Sequence, residues 1–257
     1  MRNKKRLIGP GVFVAASLLA GCGGGGSSTP TPVSGPSAEG AYKGTITNSA
    51  TASAFNAVVL EDGQYWTLYG NSAGGVLVVN GLIQGQGTST NGTFTSSTLK
   101  DFGYSPAVSG TLNATYAAGA SISGTVVLGA GSIGLTGTAV PTATFDYNTA
   151  ASVSNVVGAW TLSSTSGQTI ALNIASGGSF TGLVSNGCSL TGTVSPRPSG
   201  KNILNVQLTF GPAPCSLPGQ QAVGIGIYTT LVTGAHQLIV AVTDSTRTYA
   251  STSFGTR

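Results

Sequence analysis

The sequence predicts an all-β protein: two consecutive small antiparallel up-and-down β-barrels of about eight strands each, behind a flexible tether. Three observations carry that expectation. Apolar and polar residues alternate with period two, as in Leu204, Val206, Leu208 and Phe210 against Asn205, Gln207 and Thr209. Such alternation puts one face of a strand on a core and the other outward. Turn signals (Asp62-Gly63, Asn91-Gly92, Gly119, Gly177-Gly178, Asn186-Gly187, Ser199-Gly200) recur at the spacing of short strands, the pattern of a barrel or sandwich. Charged residues make up only 6% of the chain, while hydrophobic residues reach 40%. A disordered chain lacks that apolar content, and Ser and Thr supply a polar surface suited to exposed sheet faces.

Residues 1–21 have the three parts of an export signal. Arg2, Lys4, Lys5 and Arg6 form the basic start, and Leu7 to Ala20 the apolar middle. That middle is about 14 residues, short of the ~20 that a spanning helix requires. Residues 22–38 are a Gly/Ser/Pro segment that cannot pack a core and reads as a tether, loose where Gly and Ser dominate and extended where Pro does. The first barrel is expected over 39–141, a linker with a short helix over 142–157, and the second barrel over 158–257. Strands are read at 75–88 and 201–210, among others. Leu238, Val240 and Val242 alternate with Ile239, Ala241 and Thr243, a strand apolar on both faces. Closing each sheet into a barrel removes edges through which Thr- and Val-rich strands aggregate.

The halves also repeat. Gly40-Ala41-Tyr42 opens the first and Gly158-Ala159-Trp160 the second, and the segments 121–126, 135–140 and 189–194 share a Gly-Thr strand pattern. In the linker, Asn148 is read as the N-cap of a helix running to Val157, stopped by Gly158. That helix either covers one end of the second barrel or simply connects.

The pI of 9.1 overstates the basicity. Four of the ten Lys and Arg precede Cys22, so six remain against six Asp and Glu. Those six form no basic cluster for nucleic acid. The single His236, in a Gly-Ala-His-Gln turn, has no Cys, Asp or Glu at ligand spacing, so neither a metal nor a cofactor is expected. The adjacent acids Glu61-Asp62 read as a hairpin turn before Gly63. No nucleophile elbow is present, and the body is expected to be non-enzymatic. The aromatics are expected in the cores.

Setting Cys22 aside leaves Cys188 and Cys215, an even pair in an exported chain. A disulfide is expected, with two buried thiols as the alternative. The bridge closes a loop worth roughly 3–4 kcal/mol by the chain-entropy account. It pins the Pro-rich stretch 211–219, whose Pro212, Pro214, Ser216, Leu217 and Pro218 are the expected contact residues, since binding groups concentrate on loops held by a rigid scaffold.

Leu19-Ala20-Gly21-Cys22 resembles the lipobox of bacterial lipoproteins. The resemblance implies lipidation of Cys22, removal of what precedes it by the export and lipoprotein-processing machinery, and a lipid anchor in the membrane. Gly23 after the Cys implies outer-membrane sorting. Two eight-stranded barrels behind a lipobox look like surface lipoproteins of the transferrin-binding and factor H-binding types. Gly158 and Trp160 resemble the lipocalin signature, which implies a carrier of a small apolar ligand as the alternative to a protein partner. An integral outer-membrane barrel wants aromatic girdles, and 7% aromatic residues fit that class poorly.

Overall fold

The computed structural model describes residues 36–47, 52–129 and 131–257. The first half contributes β1 (Gly40–Thr47), β2 (Ala52–Val59), β3 (Gln64–Ala73), β4 (Val76–Gln86), β5 (Thr88–Thr90), β6 (Thr93–Asp101), β7 (Val108–Ala117), β8 (Ser121–Leu128) and β9 (Gly131–Ala139). They run β4-β3-β2-β1-β9-β8-β7-β6 around a barrel closed by β4 against β6, with β5 a short extension on β6. The second half contributes β10 (Gly158–Ser164), β11 (Thr169–Ile174), β12 (Ser179–Val184), β13 (Ser189–Pro196), β14 (Leu204–Phe210), β15 (Gln221–Thr230), β16 (His236–Asp244) and β17 (Ala250–Thr256). These close in sequence order into a second antiparallel barrel. The chain is therefore all-β with two consecutive eight-stranded barrels.

Each interior is filled by the inward set of the period-two pattern. Tyr42, Phe55, Tyr65 and Phe94 pack the first barrel at no more than 2% exposure. Leucine, isoleucine and valine dominate the second, around Trp160 and Phe180. Small residues make room for the rings. A Cβ on Gly192 would stand 2.5 Å from the Phe180 ring, and one on Gly87 2.2 Å from Phe94. Gly87 is also where the expected strand 75–88 breaks into β4 and β5. The Gly-Thr segments fall on β8, β9 and β13, so that similarity reflects a shared need for an inward glycine and is not a register of duplication.

The two openings are truly alike. The Tyr42 hydroxyl donates to the Ala38 carbonyl at 2.9 Å, and the Trp160 indole N–H donates to the Val156 carbonyl at 2.8 Å. Ala38 and Val156 are both fully buried. Each half thus begins with an apolar plug four residues before its first large ring.

Three expectations need correction. The tether does not extend to 38: the Tyr116 hydroxyl holds the Pro36 carbonyl at 2.7 Å and Ala38 N–H donates to Ser89 Oγ at 2.9 Å. Burial of Ala38 draws the chain onto the barrel end. The rest of that segment, the signal and Cys22 lie outside the described residues. The linker helix is a single 3₁₀ turn, Val153–Asn155, capped by Ser152 and not by Asn148. Asp146 instead accepts from Asn148 N–H and Thr149 Oγ1, side-chain bonds that compete with helix formation. The turn does cover the barrel, since Val156 enters its core. Finally, the strand expected over 201–210 starts only at Leu204, because Asn202 turns away to bond Tyr147 O and Asp146 O, each at 3.0 Å.

The barrels share a third core. Ala41, Val58, Leu60, Trp66, Leu68 and Leu82 on the outer face of the first meet Ile225, Ile227, Ile239 and Ala241 on the outer face of the second. Phe145 and Tyr147 of the linker wedge between them. This explains why β16 is apolar on both faces: Leu238 and Val242 point into their own barrel, Ile239 and Ala241 into the shared wall. The wall makes the pair one cooperative unit, so calorimetry is expected to give a single unfolding transition. Ile239→Ala should cost about 2–5 kcal/mol, and Ile239→Asp, which buries an unpaired charge, should split the melt in two. Two separated transitions in the parent chain would instead show independent barrels.

Candidate functional site

Functional side chains can be sought in four places: the barrel interiors, the end of the second barrel near the cysteines, its opposite end, and the wall between barrels. The interior of the second barrel leaves a cavity of ≈40 Å³, lined by Val156, Leu162, Phe180, Leu190 and their neighbours, with Ser251 and Ser253 as its polar groups.

At one end, Cys188 and Cys215 are bonded, with Cα atoms 4.5 Å apart and a sequence separation of 27. Cys188 follows the tight turn at Asn186-Gly187, where Asn186 Oδ1 accepts from the Cys188 N–H at 3.0 Å. Gly187 has a φ of +92°, which a side chain would strain. Cys215 pulls residues 211–219 over this turn, and Gly219 N–H bonds back to Phe210 O at 3.1 Å. Pro212, Pro214, Ser216 and Pro218 lie exposed on the loop, while Leu217 is half-buried. The structure brings the five expected contact residues together on one rim.

At the opposite end, His236 lies outside the turn in which the sequence placed it and is half-buried. It begins β16, its ring stacks on Tyr228 at 4.9 Å, and Tyr228 meets Trp160 edge-on at 6.3 Å. The Arg257 guanidinium lies 3.9 Å from the centre of the Trp160 ring and donates to Asn155 O and Val157 O. The 3₁₀ turn is thereby tied to the last strand. Backbone pairing of His236 with Arg257 draws the imidazole from solvent onto the ring stack.

The wall between the barrels holds most of the remaining charges. Arg197, on the turn after β13, reaches Glu61 at 2.7 Å and Asp62 at 2.8 Å on the β2–β3 hairpin. Lys201 reaches Glu39 at 2.7 Å. Burial alone would raise the Glu61 carboxyl, but backbone hydrogen bonding and Arg197 outweigh it and hold it below its ordinary value. The pair Glu61-Asp62 is therefore a hairpin turn that also docks the second barrel. Only the presence of two acids at one turn in a charge-poor sequence hinted at it.

A second set of polar groups repairs the first barrel's weak join. β4 and β6 pair directly only at Ile83–Asp101 and Gln84–Lys100, and β6 bulges between Ser96 and Leu99. Tyr65 donates to Ser96 Oγ at 3.1 Å, and Ser96 donates onward to Gln86 O at 2.7 Å. Burial pushes the Tyr65 hydroxyl up to about 12. Tyr69 and the Gly103 N–H both donate to Asp101 Oδ1 at 2.8 Å. Burial of Asp101 raises its carboxyl above the ordinary value, with these two bonds opposing. Arg247, from the turn after β16, completes the join by donating to Gln84 O at 2.7 Å and Thr98 O at 2.8 Å. Among the described residues no cluster of three His, Cys, Asp or Glu is placed to hold a metal, and no helix is long and apolar enough to cross a membrane.

No family model and no curated protein matches the chain. A solved structure from the DUF3598 family of Nostoc punctiforme, a protein of unknown function, aligns at 12% identity over 85% of this chain and 94% of that one, with a TM-score of 0.26. That likeness carries no functional argument.

Two outcomes test the geometry. A carboxyl whose folded value lies below its unfolded one adds stability in full above the unfolded value, and loses it as pH falls through the folded one. Stability of the parent chain should therefore fall more steeply below about pH 4.5 than that of Arg197→Ala, as read by urea unfolding at stepped pH. Parallel curves would show that Arg197 does not govern Glu61. The Cys188→Ser, Cys215→Ser double variant should lose about 3 kcal/mol, and reducing the parent with dithiothreitol should lower its Tm to the same level.

Proposed function

We propose that the chain is a lipid-anchored lipoprotein of the bacterial outer membrane, held through Cys22, whose non-enzymatic two-barrel body serves interaction or envelope structure. The lipobox-like Leu19–Cys22 supports the anchor. The filled interior supports the role of the body: ≈40 Å³ in the second barrel is far below the roughly 300–1,000 Å³ of ligand pockets. A body whose second barrel leaves so little interior room, and whose cations tie one barrel to the other, presents its outer surface for contact. That favours surface contact over carriage of an apolar cargo in the barrel.

The attachment point also fits a tethered body. The Tyr116 hydroxyl holds Pro36 and Ser89 holds Ala38 at one end of the first barrel, where the expected tether meets the body. The residues from Cys22 to Gly35 span at most ~50 Å fully extended. The disulfide-pinned rim with Pro212, Pro214, Ser216, Leu217 and Pro218 offers an exposed contact patch, and a protein partner is the reading that its exposure favours.

Metabolic palmitate labelling tests the anchor. Label should enter the parent and be lost in Cys22→Ser; equal labelling of both would refute lipidation there. Protease shaving of whole cells then separates cell-surface from periplasmic exposure. Solvent extraction of the purified chain, read by mass spectrometry, should return no stoichiometric apolar molecule. A consistent one would establish the carrier reading instead.

A further inference from the structure

The apolar wall between the barrels ends in a pocket of ≈130 Å³. Ala41 of β1 and Val58 of β2 belong to the wall, and outward positions on a strand recur every two residues. The next outward pair on these strands is Lys43 and Asn56, which are direct cross-strand partners. On the second barrel Ile227 and Ile239 give way in the same manner to Thr229 and Gln237, also partners. The wall therefore turns polar on both sides, and all four of these residues line the pocket.

Hydrogen bonds fix the rim. Gln237 Nε2 crosses to the Leu77 carbonyl of the first barrel at 3.0 Å. The Thr230 N–H donates to the Thr144 carbonyl of the linker at 3.1 Å, and the Val140 N–H to Ala41 O at 3.0 Å. The β3–β4 and β15–β16 turns meet above: a Cβ on Gly75 would stand 3.5 Å from Val232 Cγ2. Gln237 is buried, but the other polar groups are open to solvent. Lys43 and Val232 are exposed, and Asn56, Val140, Thr144 and Thr229 are half-buried.

The charge of the pocket narrows the chemistry. Lys43 is the single charged residue of its lining. Of the six cations after Cys22, Lys100, Arg197, Lys201, Arg247 and Arg257 each hold a carboxylate or a carbonyl. Among the described residues Lys43 has no such partner. One ammonium supplies three donors and no acceptor, without the guanidinium fork that favours phosphate, so it suits a single carboxylate. The amide of Asn56 and the hydroxyls of Thr144 and Thr229 add donors, while Val140 and Val232 add apolar surface. An apolar cavity of about 150 Å³ takes a benzene ring, so this pocket has room for one ring or a short chain. We propose that it binds a small monocarboxylate with an apolar body, the carboxylate on Lys43 and Asn56 and the ring or chain against Val140 and Val232. The site rests neither on the lipid anchor nor on the filled barrel interior, so it can fail without them.

The test uses the full chain in a nonionic detergent, with benzoate and hexanoate as probes and benzamide and hexanamide as their uncharged counterparts. Saturation-transfer NMR, corrected for micelles alone, should show saturable binding of at least one carboxylate at millimolar concentration. Its amide should bind about tenfold more weakly. Lys43→Gln, at an exposed position, should keep the parent Tm and lose that preference. Thr229→Leu, which narrows the pocket, should weaken carboxylate and amide alike. No binding of either carboxylate at about 10 mM, an amide bound as tightly as its carboxylate, or unchanged carboxylate binding in Lys43→Gln or in a folded Thr229→Leu would overturn the proposal.

Discussion

The apolar wall between the two barrels is the constraint on which the rest of the structure depends. A barrel closed on itself needs only one apolar face per strand, yet β16 buries both of its faces, and Ile225 and Ile227 of β15 also turn outward onto the first barrel. The outward set is buried only if a second barrel covers it. Roughly 25 cal/mol per Å² of apolar surface removed from water makes separation costly, so the chain behaves as one body with three cores.

Charge placement follows from that wall. Six cations lie after Cys22, and four reach from one half to the other: Lys100 to the Arg247 carbonyl, Arg197 to Glu61 and Asp62, Lys201 to Glu39, and Arg247 to Gln84 and Thr98. Exposed ion pairs contribute little, but these sit at the rim of an apolar contact. They fix how the barrels dock more than they add stability. The outer surface is left to hydroxyls and amides, consistent with a composition of only 6% charged residues.

The first barrel illustrates how a weak join is made whole. Its β4–β6 closure is short because β6 bulges, and three kinds of group compensate: a Tyr65–Ser96–Gln86 relay, the Tyr69–Asp101 pair, and Arg247 from the other barrel. One barrel thus depends on a residue of its neighbour for closure. The same arrangement leaves Arg247 Nε, Gln84 Oε1 and Trp66 Nε1 buried without a hydrogen-bond partner among the described residues.

Much of this was legible beforehand. Period-two alternation located the strands around Leu204–Phe210 and Leu238–Val242, and the Gly-Ala-aromatic openings located both barrel starts, because those signals are local. The disulfide followed from cysteine parity, although which rim residues it gathers did not. The linker misled: Asn148 and the valines have helical spacing, but Asp146 captures the local backbone and Tyr147 is drawn into the wall. Trp66 and Gln84 read as ordinary outward strand positions. Their shared lack of partners depends on what stands opposite, and no pattern along β3 and β4 encodes that.

By itself, then, the sequence determined the all-β class, the two-barrel division and the paired cysteines, since each rests on residue type and near-neighbour spacing. Only the tertiary structure decided that the barrels share a wall, that the sparse charges lie along it and that a pocket opens where it turns polar. The reason is that both faces of β16 look alike as sequence, and which neighbour buries each is fixed only when distant segments such as 60–66, 145–147 and 239–247 come together.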